Sequence, residues 1–144
     1  MKKTLELWYS SSKIETDKDG NVSLTDLWKA SGCIPNKEVK DWIRLGSTES
    51  YIKSASRFLK VENSHLIKIK RGKGGGTFAH PHVAIEYAQY LSTDLAVFIN
   101  NVFFERVEEE KNPQLAVDRA VDTWKRQGKS DKWIDERLKS KAAR

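Results

Sequence analysis

The run Arg71-Gly-Lys-Gly-Gly-Gly76 sets the tightest constraint on how this chain can fold. Glycines at that density weaken any helix or strand interior, because a residue without Cβ has the most conformational freedom to lose. On one side, His65-Leu-Ile-Lys-Ile-Lys70 alternates apolar and basic residues; on the other, Thr77-Phe-Ala-His80 carries β-favouring side chains. The pattern predicts a strand, a turn through Gly72, Lys73, Gly74, Gly75 and Gly76, and a return strand. If Ile67 and Ile69 point inward, Lys68 and Lys70 point to the opposite face, because side chains alternate along a strand.

The same region carries the charge. Residues 37–73 contain ten basic and four acidic residues, while the segments before and after are each balanced, so this window accounts for the whole formal surplus of +6. Charge spread for solubility would be even, whereas a concentrated patch raises the local potential and the rate of encounter with phosphate backbones. With 144 residues, 38% of them hydrophobic, the chain can bury one modest core and carry a short appendage. A single cysteine, Cys33, leaves no intrachain disulfide and no multi-thiolate zinc site, which suits a reducing compartment, and the residue is expected to be a small buried apolar group. No stretch approaches the roughly 20 apolar residues of a membrane span, and the first residues lack a long apolar signal core. A cytoplasmic, nucleoid-associated protein that is not exported is expected.

Along the chain, Thr4–Tyr9 reads as a first strand, and 13–16 with 21–23 as a hairpin around Asp17-Lys-Asp-Gly20. Ser23 is a credible cap for a short helix with Leu24, Leu27 and Trp28 inward, stopped by Gly32. Asn36 is expected to cap a second helix ending at Gly46, with Val39, Trp42 and Ile43 inward and Lys37, Lys40 and Arg44 on the opposite stripe. A third helix from Ser47 or Thr48 has Tyr51, Ile52, Ala55, Phe58 and Leu59 on its inner face and Lys53, Arg57 and Lys60 outward. Pro81 suits the first turn of a core helix carrying Val83, Ala84, Tyr87, Ala88 and Leu91. Thr93 is expected to cap the next, with Leu95, Phe98, Ile99, Val102, Phe103 and Val107 as its stripe and Glu108–Glu110 at its end, facing away from DNA. Asn112-Pro113 breaks the chain, so residues 1–111 read as one domain and 112–144 as a helical extension, with helices near 114–127 and 131–140. Trp124, Trp133, Ile134 and Leu138 are too apolar for a free tail; they pack on the domain or on a second copy as a homodimer.

Several chemistries fail on spacing. The glycine run lacks the order of a P-loop, and a Rossmann fingerprint would need its third glycine at Thr77 and a helix after it. Cys33, His65, His80 and His82 contain no metal-ligand spacing, and structural histidines near a helix start are favoured over a zinc site. No paired-carboxylate or Ser-His-Asp pattern is present, so the reading is a non-enzyme with no catalytic residue, no metal and no cofactor. Each basic stripe alone is most simply a solvated surface. Two such helices, an alternating strand and a glycine hairpin in one contiguous window favour nucleic acid.

At Ser23-Leu-Thr-Asp-Leu-Trp-Lys-Ala-Ser-Gly32, Trp42-Ile-Arg-Leu45, Thr48-Glu-Ser-Tyr-Ile52 and Leu66 through His82, continuing into Val83–Leu91, the sequence resembles a KilA-N domain. The resemblance covers roughly residues 5–105, with the glycine-to-Ala-His-Pro-His run its most specific part. Such domains occur in phages, in bacteria carrying phage-derived genes and in large DNA viruses, and are similar to the DNA-binding APSES domains of fungal regulators. The resemblance implies an α+β fold with a winged helical recognition surface, Gly72–Gly76 with Arg71 and Lys73 forming the wing and Lys37, Lys40, Arg44, Lys53 and Arg57 the helical face. The expected function is double-stranded DNA binding in phage or prophage gene control. The alternatives are a protein-interaction module such as an antirepressor engaging a phage or host regulator, RNA binding, and a nucleic-acid-processing enzyme.

Overall fold

The computed structural model describes residues 14–73 and 75–142 and has a mixed α+β fold. The expected strand at Thr4–Tyr9 lies outside the described residues. By internal contacts the chain forms two compact units, residues 1–99 and 100–144, which part inside a continuous helix.

In the first unit, Asp17 organises the turn before the first strand. Its Oδ1 accepts from the backbone N–H of Asp19 and of Asn21, each at 2.9 Å, and Gly20 takes the positive φ that the sequence requires there. The hairpin is smaller than expected, reduced to one bridge between Thr16 and Val22 before β1 (Val22–Ser23). β1 pairs instead with β3 (Gly76–Ala79), which pairs on its other edge with β2 (Ile67–Lys70), giving a three-stranded antiparallel sheet in the order β1-β3-β2. A 3-10 turn, Asn63–His65, replaces the start expected for β2.

Ser23 caps α1 (Leu24–Ala30) by accepting from Asp26 N–H, and the chain leaves that helix through Gly32 at φ +91°. Two boundaries differ from the sequence reading. α2 is only Val39–Ile43, with Glu38 and not Asn36 at its cap; Asn36 is a left-handed turn residue, φ 64°. Gly46 does not end α2 but opens α3 (Gly46–Leu59), which follows so closely that Leu45 is its cap. Cys33 is exposed at φ 56° and is not the buried group expected; it lies in the turn that leaves α1, and its N–H bonds to Trp28 O.

α4 (Pro81–Leu91) is the central core helix, with Val83, Ala84, Tyr87, Ala88 and Leu91 all buried as their spacing predicts. They join Leu24, Leu27, Trp42, Ala55, Leu66, Ala79 and Leu95 in one cluster. Tyr87 is fully buried, its ring 4.8 Å from that of Trp42 and its hydroxyl donating to Lys37 O at 2.6 Å. Burial and neighbouring acidic groups raise its phenol well above the ordinary tyrosine value. α5 (Thr93–Lys111) is capped by Ser92, whose Oγ accepts from Leu95 N–H, and not by Thr93. The apolar stripe of α5 meets the core only at its start, through Leu95, Phe98 and Ile99; Val102 and Phe103 are exposed, and Val107 further along is half-buried.

In the second unit, α6 (Gln114–Arg126) and α7 (Asp131–Ala142) turn back on each other through Gly128, φ 82°. Trp124 and Trp133 meet edge to face, centroids 5.5 Å apart, and Ile134 is buried. Within this unit the buried Glu109 carboxylate accepts both Nε–H and a terminal N–H of Arg119, and that pair holds its pKa below the ordinary carboxylate value.

Candidate nucleic-acid interface

All ten basic residues of the charged window lie in the first unit, and their local surroundings divide them. Lys37 lies before α2 and is turned inward: its Nζ donates to Tyr90 O at 3.0 Å and sits 4.6 Å from the centroid of the Tyr90 ring. Lys40 pairs with Glu38 at 3.8 Å, and Arg44 caps the C-terminus of α2. The continuous stripe Lys37, Lys40, Arg44 expected on one long helix is therefore broken, because α2 is a turn and a half and contains only the second of them.

On α3, Lys53 pairs with Glu49 at 3.2 Å and Arg57 donates to Ser54 Oγ at 3.2 Å. Lys60 occupies the left-handed C-cap, φ 58°, where its N–H closes the helix onto Ser56 O. All three side chains are exposed, as the outer-face reading requires. On β2, Lys68 and Lys70 share a face with Phe78, and the turn at residues 17–20 lies against them: Lys68 is 3.8 Å from Asp19 and Lys70 is 3.9 Å from Asp17. Lys70 also covers the Phe78 ring at 4.6 Å. For Asp17, burial opposes ionisation, but hydrogen bonds from Asn21 and Asp19 together with Lys70 hold its pKa below the ordinary value.

Arg44, Lys60, Arg71 and Lys73 have no side-chain partner among the described residues. The ion pairs of Lys40, Lys53 and Lys68 are solvent-exposed, so each contributes little and can exchange its carboxylate for a phosphate oxygen.

The hairpin turn is defined by Gly75 N–H bonding to Gly72 O at 2.9 Å. A Cβ on Gly75 would stand 2.3 Å from Lys70 O and 2.8 Å from Gly72 O, so this glycine is required by the turn itself, whatever approaches from outside. Gly72 has open space around it but φ +91°. Gly72→Ala is therefore expected to cost about 1–2 kcal/mol of local stability through backbone strain alone. Gly75→Ala should cost more, because two carbonyls must move. Amide hydrogen exchange at Lys68 and Phe78, paired across the ladder, measures the difference. The base of the hairpin is tied to α1 where Thr77 N–H reaches Thr25 Oγ1 at 3.4 Å.

Two features are invisible to sequence spacing. Phe58 and Ile69, both expected inward, are 78% and 71% exposed. At about 100° per residue Phe58 lies about 60° from Ala55, the buried centre of the α3 stripe, and so stands on its flank. Ile69 lies one pleat beyond Ile67, past the edge of the core. The docking of Asp17 and Asp19 on the β2 lysines joins residues about fifty apart in sequence, and no local signal encodes it. No group of three or more His, Cys, Asp or Glu able to hold a metal occurs among the described residues.

A KilA-N domain model matches residues 9–109. Over 93 residues, 65% of this chain, the sequence is 33% identical to protein KilA of Escherichia phage P1. That alignment covers 34% of the phage protein, so the chain spans about a third of the length of this relative. No solved structure matches. No helix of the described residues is long and apolar enough to cross a membrane.

Proposed function

This chain belongs to the KilA-N domain family, whose domains are generally DNA-binding, and on that premise we propose that its first unit is a double-stranded DNA-binding module of a phage-derived transcriptional regulator. The observation that carries the reading is the set of cations with no side-chain partner among the described residues, Arg44, Lys60, Arg71 and Lys73, inside the window that holds the whole net charge. The β2–β3 hairpin acts as a wing whose Arg71 and Lys73 contact phosphates. The α3 face of Lys53, Arg57 and Lys60 supplies further phosphate contacts, which position the domain while base-edge contacts select the sequence. Lys68 and Lys70 shape the base of the wing through the Asp17–Asn21 turn and reach phosphate only by releasing it, and Lys37 supports α2 against α4. Binding is non-covalent, with no catalytic step and no cofactor.

Fluorescence anisotropy with matched duplex DNA, single-stranded DNA and RNA across a salt series tests this. Duplex DNA is expected to bind best, with log affinity falling by about 0.9 per neutralised phosphate for each decade of salt. Equal or tighter RNA binding would redirect the reading to RNA. Absence of all nucleic-acid binding, with capture of an acidic regulator protein instead, would favour the antirepressor role.

A further inference from the structure

Phe58 and Ile69 are the most exposed large apolar side chains among the described residues, and both lie inside the basic window. Phe58 has the more specific surroundings. Its ring centroid is 6.3 Å from that of His82, tilted by 43°, and His82 is in turn 5.2 Å from His80, so three π faces form a row at the start of α4. Arg57 on α3 and Lys60 at its C-cap are one and two residues away, both exposed. The support under the ring is rigid. Tyr51 donates its hydroxyl to His82 O at 3.0 Å, fixing α3 to α4, while Lys60 N–H and Ser56 Oγ–H close the end of α3 onto Ser56 O and Val61 O.

Resting on the DNA-binding reading above, we propose that Phe58 is a base-stacking contact: its ring packs against a nucleobase unstacked from the bound duplex, while Arg57 and Lys60 hold the flanking phosphates. A nucleobase fits this place better than a protein surface does. Docking of a protein would call for a contiguous apolar patch, but Ser54, Arg57, Lys60 and Glu62, the exposed residues within four positions of Phe58 in the chain, are polar, and Val61, 37% exposed, is the one apolar residue exposed with them. A lone aromatic ring beside cations and imidazoles matches the combination by which bases and backbone are held together. The ring is already held in the open, so little ordering is left to oppose binding.

The test uses the full chain with Phe58→Ala and Phe58→Trp, titrated into duplexes that carry 2-aminopurine at successive positions. The parent is expected to raise 2-aminopurine fluorescence at one step, as a base leaves the stack. Phe58→Ala should bind roughly ten-fold more weakly with the salt slope unchanged, since no charge is lost, and should lose the fluorescence rise. Phe58→Trp should restore both. Thermal melting should be the same for all three chains, because the ring is outside the core. If the parent binds duplex DNA and Phe58→Ala matches it in affinity and fluorescence, the stacking assignment is wrong while the DNA-binding reading stands. If the parent binds no duplex DNA, both fall.

Discussion

Replacing Lys53, Arg57 and Lys60 together by alanine is expected to weaken duplex binding by up to about a hundred-fold at 0.15 M salt and to flatten its salt dependence. The slope of log affinity against log salt should change by at most about 2.7, since each neutralised phosphate contributes about 0.9. The variant should fold normally. Lys53 and Arg57 lie on the exposed face of a fourteen-residue helix, where alanine is the best helix former, and the partners they lose, Glu49 and Ser54, remain in water. Lys60 sits at φ 58°, but lysine and alanine share the same Cβ, so the strain at that cap is unchanged. Circular dichroism checks the fold and anisotropy across the salt series reads the slope. An unchanged slope with the fold intact would remove this face from the interface and leave the hairpin as the principal phosphate contact.

Tyr87→Ala is expected to have the largest effect on stability, a loss of about 3–5 kcal/mol, because it opens a cavity where the largest fully buried side chain of the described residues stood. Against a total of about 5–15 kcal/mol for a domain, that is enough to leave the first unit marginal. The ring lies on Trp42, and its hydroxyl holds Lys37 O at the entry to α2, so the substitution removes packing and a positioning bond together. Tyr87→Phe isolates the second effect. It keeps the ring and leaves the Lys37 carbonyl without its partner, at about 1–3 kcal/mol if that group stays buried. Urea unfolding of the three chains side by side measures both, and a Tyr87→Ala midpoint equal to the parent's would show that α4 does not anchor this core.

Elements whose signals are local were legible from neighbouring residues. Ser23 and Gly32 bracket α1 through a side-chain acceptor and a positive φ; Pro81 opens α4; the spacing of Val83, Ala84, Tyr87, Ala88 and Leu91 puts all five in the core; and the glycine run between two β-prone segments forces the hairpin. Each follows from backbone conformation or helical period, which neighbouring residues specify. The basic window was equally legible, because charge is a property of composition. Which of those charges find a partner among the described residues is set by long-range packing. Lys37 is taken by Tyr90 and Lys70 by Asp17 and Phe78, while Arg71 and Lys73 meet no side-chain partner among the described residues; the Lys37–Tyr90 and Lys70–Asp17 contacts join residues about fifty apart in sequence. The same packing leaves Phe58 and Ile69 outside the core. A periodic stripe tells which face of an element is apolar but not how deeply each position on it is covered; the Phe58 ring is left in the open beside His82 at the start of α4, and the core stops at Ile67.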